Sequence, residues 1–260
     1  HTLFVLHFHH RVKIILSYAQ ILSFLPVVFG VDWPPAFVVF VESLKSAVHA
    51  DLAMIFGGAS CQLATSSFAN KTSLHLGFIY ILLFLCAAVM VVSKSSRGPL
   101  KLLAAGITFL SWPGLCVRML QWFRCIEVDG RYYLEEDFRI ACFEGLWLTT
   151  YLPLNLVFGI AAWIIAFPAF LFYHLRRAHA HQEQKKHSVW NRLVNPYVPQ
   201  CFYWEIVELM RKFLLTAGLV IFRNGSTLQL LLGMLVSAVY LCFFLQVKPL
   251  KDQTANRLQT

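Results

Sequence analysis

Six times in 260 residues the chain runs through about twenty mostly apolar positions, roughly the length an α-helix needs to cross a bilayer core. Backbone N–H and C=O groups cannot stay bare in hydrocarbon, so such runs must be helices that satisfy their own hydrogen bonds. The runs lie at 12–29, 73–92, 100–123, 148–173, 203–222 and 228–247. The expected fold is therefore all-α, a polytopic transmembrane helix bundle of about six spans plus one interfacial helix. Composition points the same way. Hydrophobic residues make up 58% of the chain and charged residues 13%, against ~25% charged in soluble domains. The mean hydropathy is +0.62. A soluble globular domain, a disordered tail and a disulfide-dense mini-domain are excluded. The net charge of +9 does not mark a nucleic-acid binder, because the basic residues sit between apolar runs. The expected partner is the lipid bilayer, with no nucleic acid.

The segments between the runs set the topology. Asp32-Trp33-Pro34-Pro35 is a breaker, and apolar residues after it share the segment with Glu42, Lys45, His49 and Asp51. That mixture predicts an amphipathic or re-entrant helix over 34–56, at the interface. Arg11 and Lys13, then Lys94, Arg97 and Lys101, then Arg176, Arg177, Lys185, Lys186 and Arg192, then Lys248, Lys251 and Arg257 all fall on one side if six spans alternate. The other side carries fewer basic residues than acids. Positive charge favours the cytoplasmic side, so both ends are expected there. The sequons Asn70-Lys71-Thr72 and Asn224-Gly225-Ser226 land outside on the same scheme. The chain starts at His1, and residues 1–11 read as the end of a preceding segment. The 174–202 linker and the 248–260 tail read as cytoplasmic, the tail as truncated, so the whole is expected to be a piece of a longer protein.

The outer loop 124–147 is bracketed by Cys125 and Cys142. On an oxidising side a disulfide between them is expected. Cys61 also lies outside and competes for either partner, and free thiols are the remaining reading. Glu127, Asp129, Glu135, Glu136 and Asp137 crowd the same loop. Consecutive acids point in different directions, so a solvated acidic turn is expected, centred on Asp129-Gly130. A weak cation-attracting vestibule is the alternative.

The fifth run opens Tyr203-Trp204-Glu205-Ile206-Val207-Glu208-Leu209-Met210-Arg211-Lys212. The uncharged stretch after it is too short to span, so the charged turns must enter the inner leaflet. On a helix, Glu205, Glu208 and Lys212 share one face, and Glu208 and Lys212 are spaced i,i+4. Charges at such depth face the bundle interior and pair. Two readings stand: a gate or pathway lined by Glu205, Glu208, Arg211 and Lys212, or a buried ion pair locking helices together. Gln20 and Asn155 read as interhelical hydrogen-bonding residues. Arg176, Arg177, Lys185 and Lys186, with the neighbouring histidines, make a basic surface suited to anionic lipid.

No catalytic or metal-binding motif is expected, and neither is a cofactor or enzyme activity. There is no TVGYG-like filter run. Only residues 223–227 join the last two runs, too few for a pore helix and filter. The run YWEIVELMRKFLLTAGLVIF, the final VKPLKDQTAN, the loop FRCIEVDGRYYLEEDFRIAC, the WPP at 33–35 and the linker end NPYVPQCFYWE together resemble the TRP-like, or polycystin-like, multi-pass membrane proteins of protists and algae. The resemblance implies a membrane domain that follows a large Cys-rich ectodomain in the plasma or ciliary membrane. It also implies a cation-channel or sensory role, with homo- or hetero-oligomers as the working state. The alternative is a non-conducting membrane anchor and signalling module carrying that ectodomain.

Overall fold

Apolar runs do become helices. The computed structural model describes residues 2–29, 31–48, 67–93, 97–180, 189–222 and 225–251. In chain order these form α1 (Thr2–Val28), α2 (Pro35–Val48), α3 (Phe68–Val92), α4 (Arg97–Gln121), strands β1 (Cys125–Val128), β2 (Arg131–Leu134) and β3 (Asp137–Ala141), then α5 (Trp147–Ala180), α6 (Val189–Val194), α7 (Trp204–Phe213) and α8 (Thr227–Val247). Four helices are long and apolar enough to cross a membrane: Phe68–Val92, Gly98–Gln121, Trp147–Ala180 and Thr227–Val247. The apolar stretches Ile14–Pro26 and Pro35–Leu44 are shorter than that length. Among the described residues the count is thus four, not six. In the first and fifth runs, helix α1 contributes only a short apolar stretch, and α7 carries charge along its length.

The chain divides into two units, one of residues 1–48 and 167–260, the other of residues 49–166. The molecule is mostly helical, and the second unit adds one small sheet. Its loop is a three-stranded antiparallel meander, ordered β1-β2-β3. Val128 pairs with Arg131, and the two residues between them, Asp129 and Gly130, have φ of 51° and 77°. Two positive φ values in a two-residue loop are what a right-twisted hairpin requires, and Asp-Gly supplies them at low cost. A disulfide joins Cys125 to Cys142, with Cα atoms 6.3 Å apart. Cys61 lies outside the described residues.

Glu127, Asp129 and Glu136 are exposed, as a solvated acidic turn requires, while Asp137 is buried. Glu135 pairs with the buried Arg124 at 2.5 Å, and Glu136 accepts from Gln121 Nε2 at 2.8 Å. Asp137 is buried and accepts from the Phe68 backbone N–H at 2.8 Å and Ser67 Oγ at 3.0 Å. It also accepts from Arg139 Nε at 2.7 Å. A helix N-terminus leaves its first N–H groups without partners, and a carboxylate sixty-nine residues away along the chain caps α3 here. Beneath the sheet, Phe68, Trp122, Leu134, Ile140, Cys142 and Trp147 form an apolar core that fixes the meander onto the ends of α3, α4 and α5.

Helix α5 is largely π-helical, over Trp147–Tyr151 and Asn155–Ala166, and α-helical over Phe167–Ala180. Pro168 has no N–H for the carbonyl five residues back. That oxygen, on Trp163, accepts instead from the Trp112 indole of α4 at 2.7 Å.

The other unit is tied by polar side chains at its helix ends. Gln229 is fully buried. Its Nε2 donates to the carbonyls of Val28 and Leu219, at 2.5 and 3.0 Å. Both carbonyls lie near the ends of helical segments, so one amide closes two chain segments onto α8. Ser226 caps α8 by accepting from Gln229 N at 3.2 Å. Helix α2 begins at Pro35, whose fixed φ suits the first helical position, and runs through Val48; the remainder of the expected 34–56 segment lies outside the described residues.

Candidate functional site

Trp204, fully buried, starts α7; it stacks on Phe243 of α8 and meets Phe244 edge-on, with centroids 5.1 and 5.9 Å away. That anchor turns the charged face of α7 inward. Glu205, Glu208 and Arg211 are all buried. A buried charge is costly unless paired and hydrogen-bonded, and every charged side chain on this face has a polar partner.

Arg211 donates Nη2 and Nε to Glu208 Oε2, at 2.9 and 3.2 Å. The other Glu208 oxygen accepts from the Tyr240 hydroxyl of α8. The Arg211 guanidinium lies 5.1 Å from the ring centroid of Tyr18 on α1 and 4.6 Å from that of Tyr240. A desolvated cation between two ring faces gains from both quadrupoles. Arg211 also reaches Ser17 Oγ at 3.5 Å. Lys212 donates to Gln20 Oε1 on α1 at 3.0 Å. Glu205 Oε2 accepts from the Tyr197 hydroxyl at 3.1 Å. Burial, with the carboxylates of Glu205 and Glu208 nearby, pushes the Tyr197 phenol well above its ordinary value, so it remains a proton donor.

All four expected residues therefore meet in one cluster. The structure adds an i,i+3 pair, Glu208 with Arg211, and directs Lys212 to α1. Both spacings put side chains on one face. Arginine takes the inner position because its planar fork both hydrogen-bonds and stacks. Tyr18, Tyr197, Tyr240 and Ser17 were not expected from sequence. Hydroxyls set among apolar residues were the available signal, since a buried phenol seeks a polar partner.

Tyr197 also links the cluster to the chain beyond α8. It bridges Leu250 in antiparallel fashion, while Val198 N donates to Pro249 O at 2.8 Å and Lys251 N to Pro196 O at 3.0 Å. The segment after the last helix thus begins as a clamp on the linker before α7. Leu250, Tyr197, Cys201, Trp204, Phe244 and Ile14 share one apolar core. Burial raises the Cys201 thiol above its ordinary value, which keeps it unreactive.

Arg176 and Arg177 are exposed near the end of α5, while Lys185 and Lys186 lie outside the described residues. His174 stacks on Trp190 of α6 at 4.6 Å, and His179 on Phe202 at 4.7 Å. Two of the linker histidines are thus packing residues. Taken as a whole, the arrangement can hold α1, α7, α8 and the linker in one register. No family model, curated protein or solved structure matches this chain.

Proposed function

We propose that the chain is a non-conducting membrane anchor and signalling module, in which the α7 cluster is a latch between the membrane helices and the linker–tail clamp. The carrying observation is that Glu205, Glu208, Arg211 and Lys212 each have a polar partner within their own unit. Charges that line an ion path need water or the ion as partners; these have tyrosines, Ser17 and Gln20. The short connection before α8 supports the same reading, since it leaves no room for a filter.

We further propose six crossings with both ends cytoplasmic. The asymmetry of basic residues supports this orientation, as does a disulfide-closed sheet on the opposite side. On that topology Arg176 and Arg177, with Lys185 and Lys186, meet anionic lipid.

The second reading is a TRP-like cation-channel or sensory membrane protein, with the same four residues as an inner-leaflet gate and oligomers as the conducting form. The family-like run at 203–222 favours it. Cation flux into liposomes containing the purified chain separates the two. Folded, inserted protein that passes no cations supports the latch. A flux altered by Glu208→Gln and Lys212→Met overturns it in favour of a pore.

A further inference from the structure

Between the buried Cys142 and the buried Trp147, which opens α5, the chain makes a turn of Phe143, Glu144, Gly145 and Leu146, all exposed. The backbone has φ of 67° at Phe143 and 49° at Gly145. Glycine takes such values at little steric cost, but a bulky side chain in the left-handed region is strained. Glycine or asparagine is the usual occupant of such a position. Strain of this kind persists only where the surrounding structure enforces it. Here the disulfide at Cys142 and the core position of Trp147 hold both ends of the turn.

The fold does not bury the ring that it strains the backbone to place. Phe143 meets Trp147 edge-on at 5.1 Å and Tyr132 of β2 at 5.8 Å, yet it stays 57% exposed. Tyr132 is 46% exposed, and Leu146 in the same turn 64%. Leu148, on the first turn of α5, is exposed as well. The apolar flank of a helix long enough to cross a membrane thus continues past its first residue onto the sheet. The headgroup layer on each side of a bilayer is ~5–8 Å deep. With the start of α5 at the hydrocarbon boundary, a ring 5.1 Å from Trp147 lies within that layer, and Tyr132 reaches its watery edge. The Tyr132 hydroxyl donates to Glu127 Oε2 at 3.3 Å, so the row ends in a polar tip. Glu127, Asp129, Glu136 and Glu144 are exposed against Arg131 and Arg139, so the sheet offers no basic patch to anionic headgroups.

We infer that Tyr132, Phe143 and Leu146 form an interfacial anchor that seats the meander on the headgroup–acyl boundary of the bilayer, with zwitterionic lipid as the partner. Aromatic side chains with an apolar body and a polar tip favour that layer. Lipid rather than water then covers the surface that Phe143 leaves bare, and removing apolar area from water offsets the backbone cost. What assigns the surface to lipid is its continuity with the flank of α5. The seat also bears on α3, because Asp137 at the start of β3 accepts from the Phe68 N–H that opens that helix. The depth of the sheet therefore sets the depth at which α3 starts. The inference rests on α5 crossing the bilayer and is independent of whether the α7 cluster is a latch or a gate.

The test is photolabelling of the full chain in phosphatidylcholine nanodiscs, with adducts mapped by mass spectrometry. Two phosphatidylcholine probes are used, one with a trifluoromethyl-aryl diazirine beside the glycerol and one with it at the acyl terminus. The shallow probe is expected on Tyr132, Phe143 and Leu146, several-fold above the deep probe. The deep probe is expected on the exposed Val157 and Phe158 of α5. Phe143→Asn accepts the left-handed φ, so it should melt close to wild type in detergent. It should nevertheless lose shallow label on Tyr132 several-fold, with deep label on α5 unchanged. Phe143→Trp should keep the label. Deep label on α5 beside a turn that takes no shallow label overturns the inference and leaves water or a second protein surface over the row. Tyr132 label unchanged in Phe143→Asn also overturns it, since the ring would not be seating the sheet. Absence of label from both α5 and the turn overturns it together with the crossing of α5, so the two failures are told apart.

Discussion

At the residue scale, Arg211 and Glu208 carry the sharpest energetic consequence. Removing one member of a buried ion pair strands the other charge, which costs about 3–5 kcal/mol, whereas replacing both with apolar or neutral groups is often nearly neutral. Arg211→Met is therefore expected to lower the unfolding free energy by roughly that amount. The double variant Glu208→Gln/Arg211→Met should recover most of it. Urea or thermal melts of the purified chain in nanodiscs read the cycle, and a double variant no better than Arg211→Met would show that the pair's worth is not electrostatic. The expectation that buried charge pairs inside the bundle needs only 3.6-residue periodicity and the cost of a bare ion in lipid. Which arginine, tyrosine or glutamine answers each charge was not legible, because Ser17 and Gln20 lie more than 190 positions from Arg211 and Lys212.

Among the elements, the meander and α3 depend on one carboxylate. Asp137 is held well below the usual carboxylate range, first by the Arg139 guanidinium and then by Phe68 N–H and Ser67 donors, against the opposing effect of burial. A depressed folded pKa means stability that is fully present above the unfolded value, near ~3.9, and lost as pH falls from there toward the folded value. Melting of the chain is expected to weaken with acid below about pH 4, and Asp137→Asn should flatten that dependence. Asp137→Ala should cost about 1–2 kcal/mol at pH 7, the usual worth of a helix cap. An unchanged acid profile in Asp137→Asn would remove the cap from the account. The hairpin itself was legible in part. Asp129-Gly130 was read as a turn, and the flanking CIEV and RYYL are rich in β-branched and aromatic residues, the strand signal that went unused. The capping role was not legible, because nothing local joins Asp137 to Phe68.

On the scale of the whole molecule, the disulfide closes the meander and so secures the ends of α3, α4 and α5. Cross-linking positions 17 apart is worth about 3 kcal/mol on loop-closure entropy. The Cys125→Ser/Cys142→Ser variant is expected to melt lower by that margin, and reductant should lower wild type to the same point while leaving the variant unmoved. A reductant effect persisting in the variant would implicate another pair of thiols. By itself, the amino-acid sequence determined that this is a helical membrane protein with a loop bracketed by Cys125 and Cys142 and a charged α7 face. Those properties follow from local hydropathy, periodicity and the cost of bare polar groups in hydrocarbon. Tertiary structure alone decided that Glu135 pairs with Arg124 and that Arg211 lies over the rings of Tyr18 and Tyr240. Each of these joins residues from separate elements, and hydrogen bonds and ring contacts reach only a few ångströms, so they exist only once packing has chosen which faces meet.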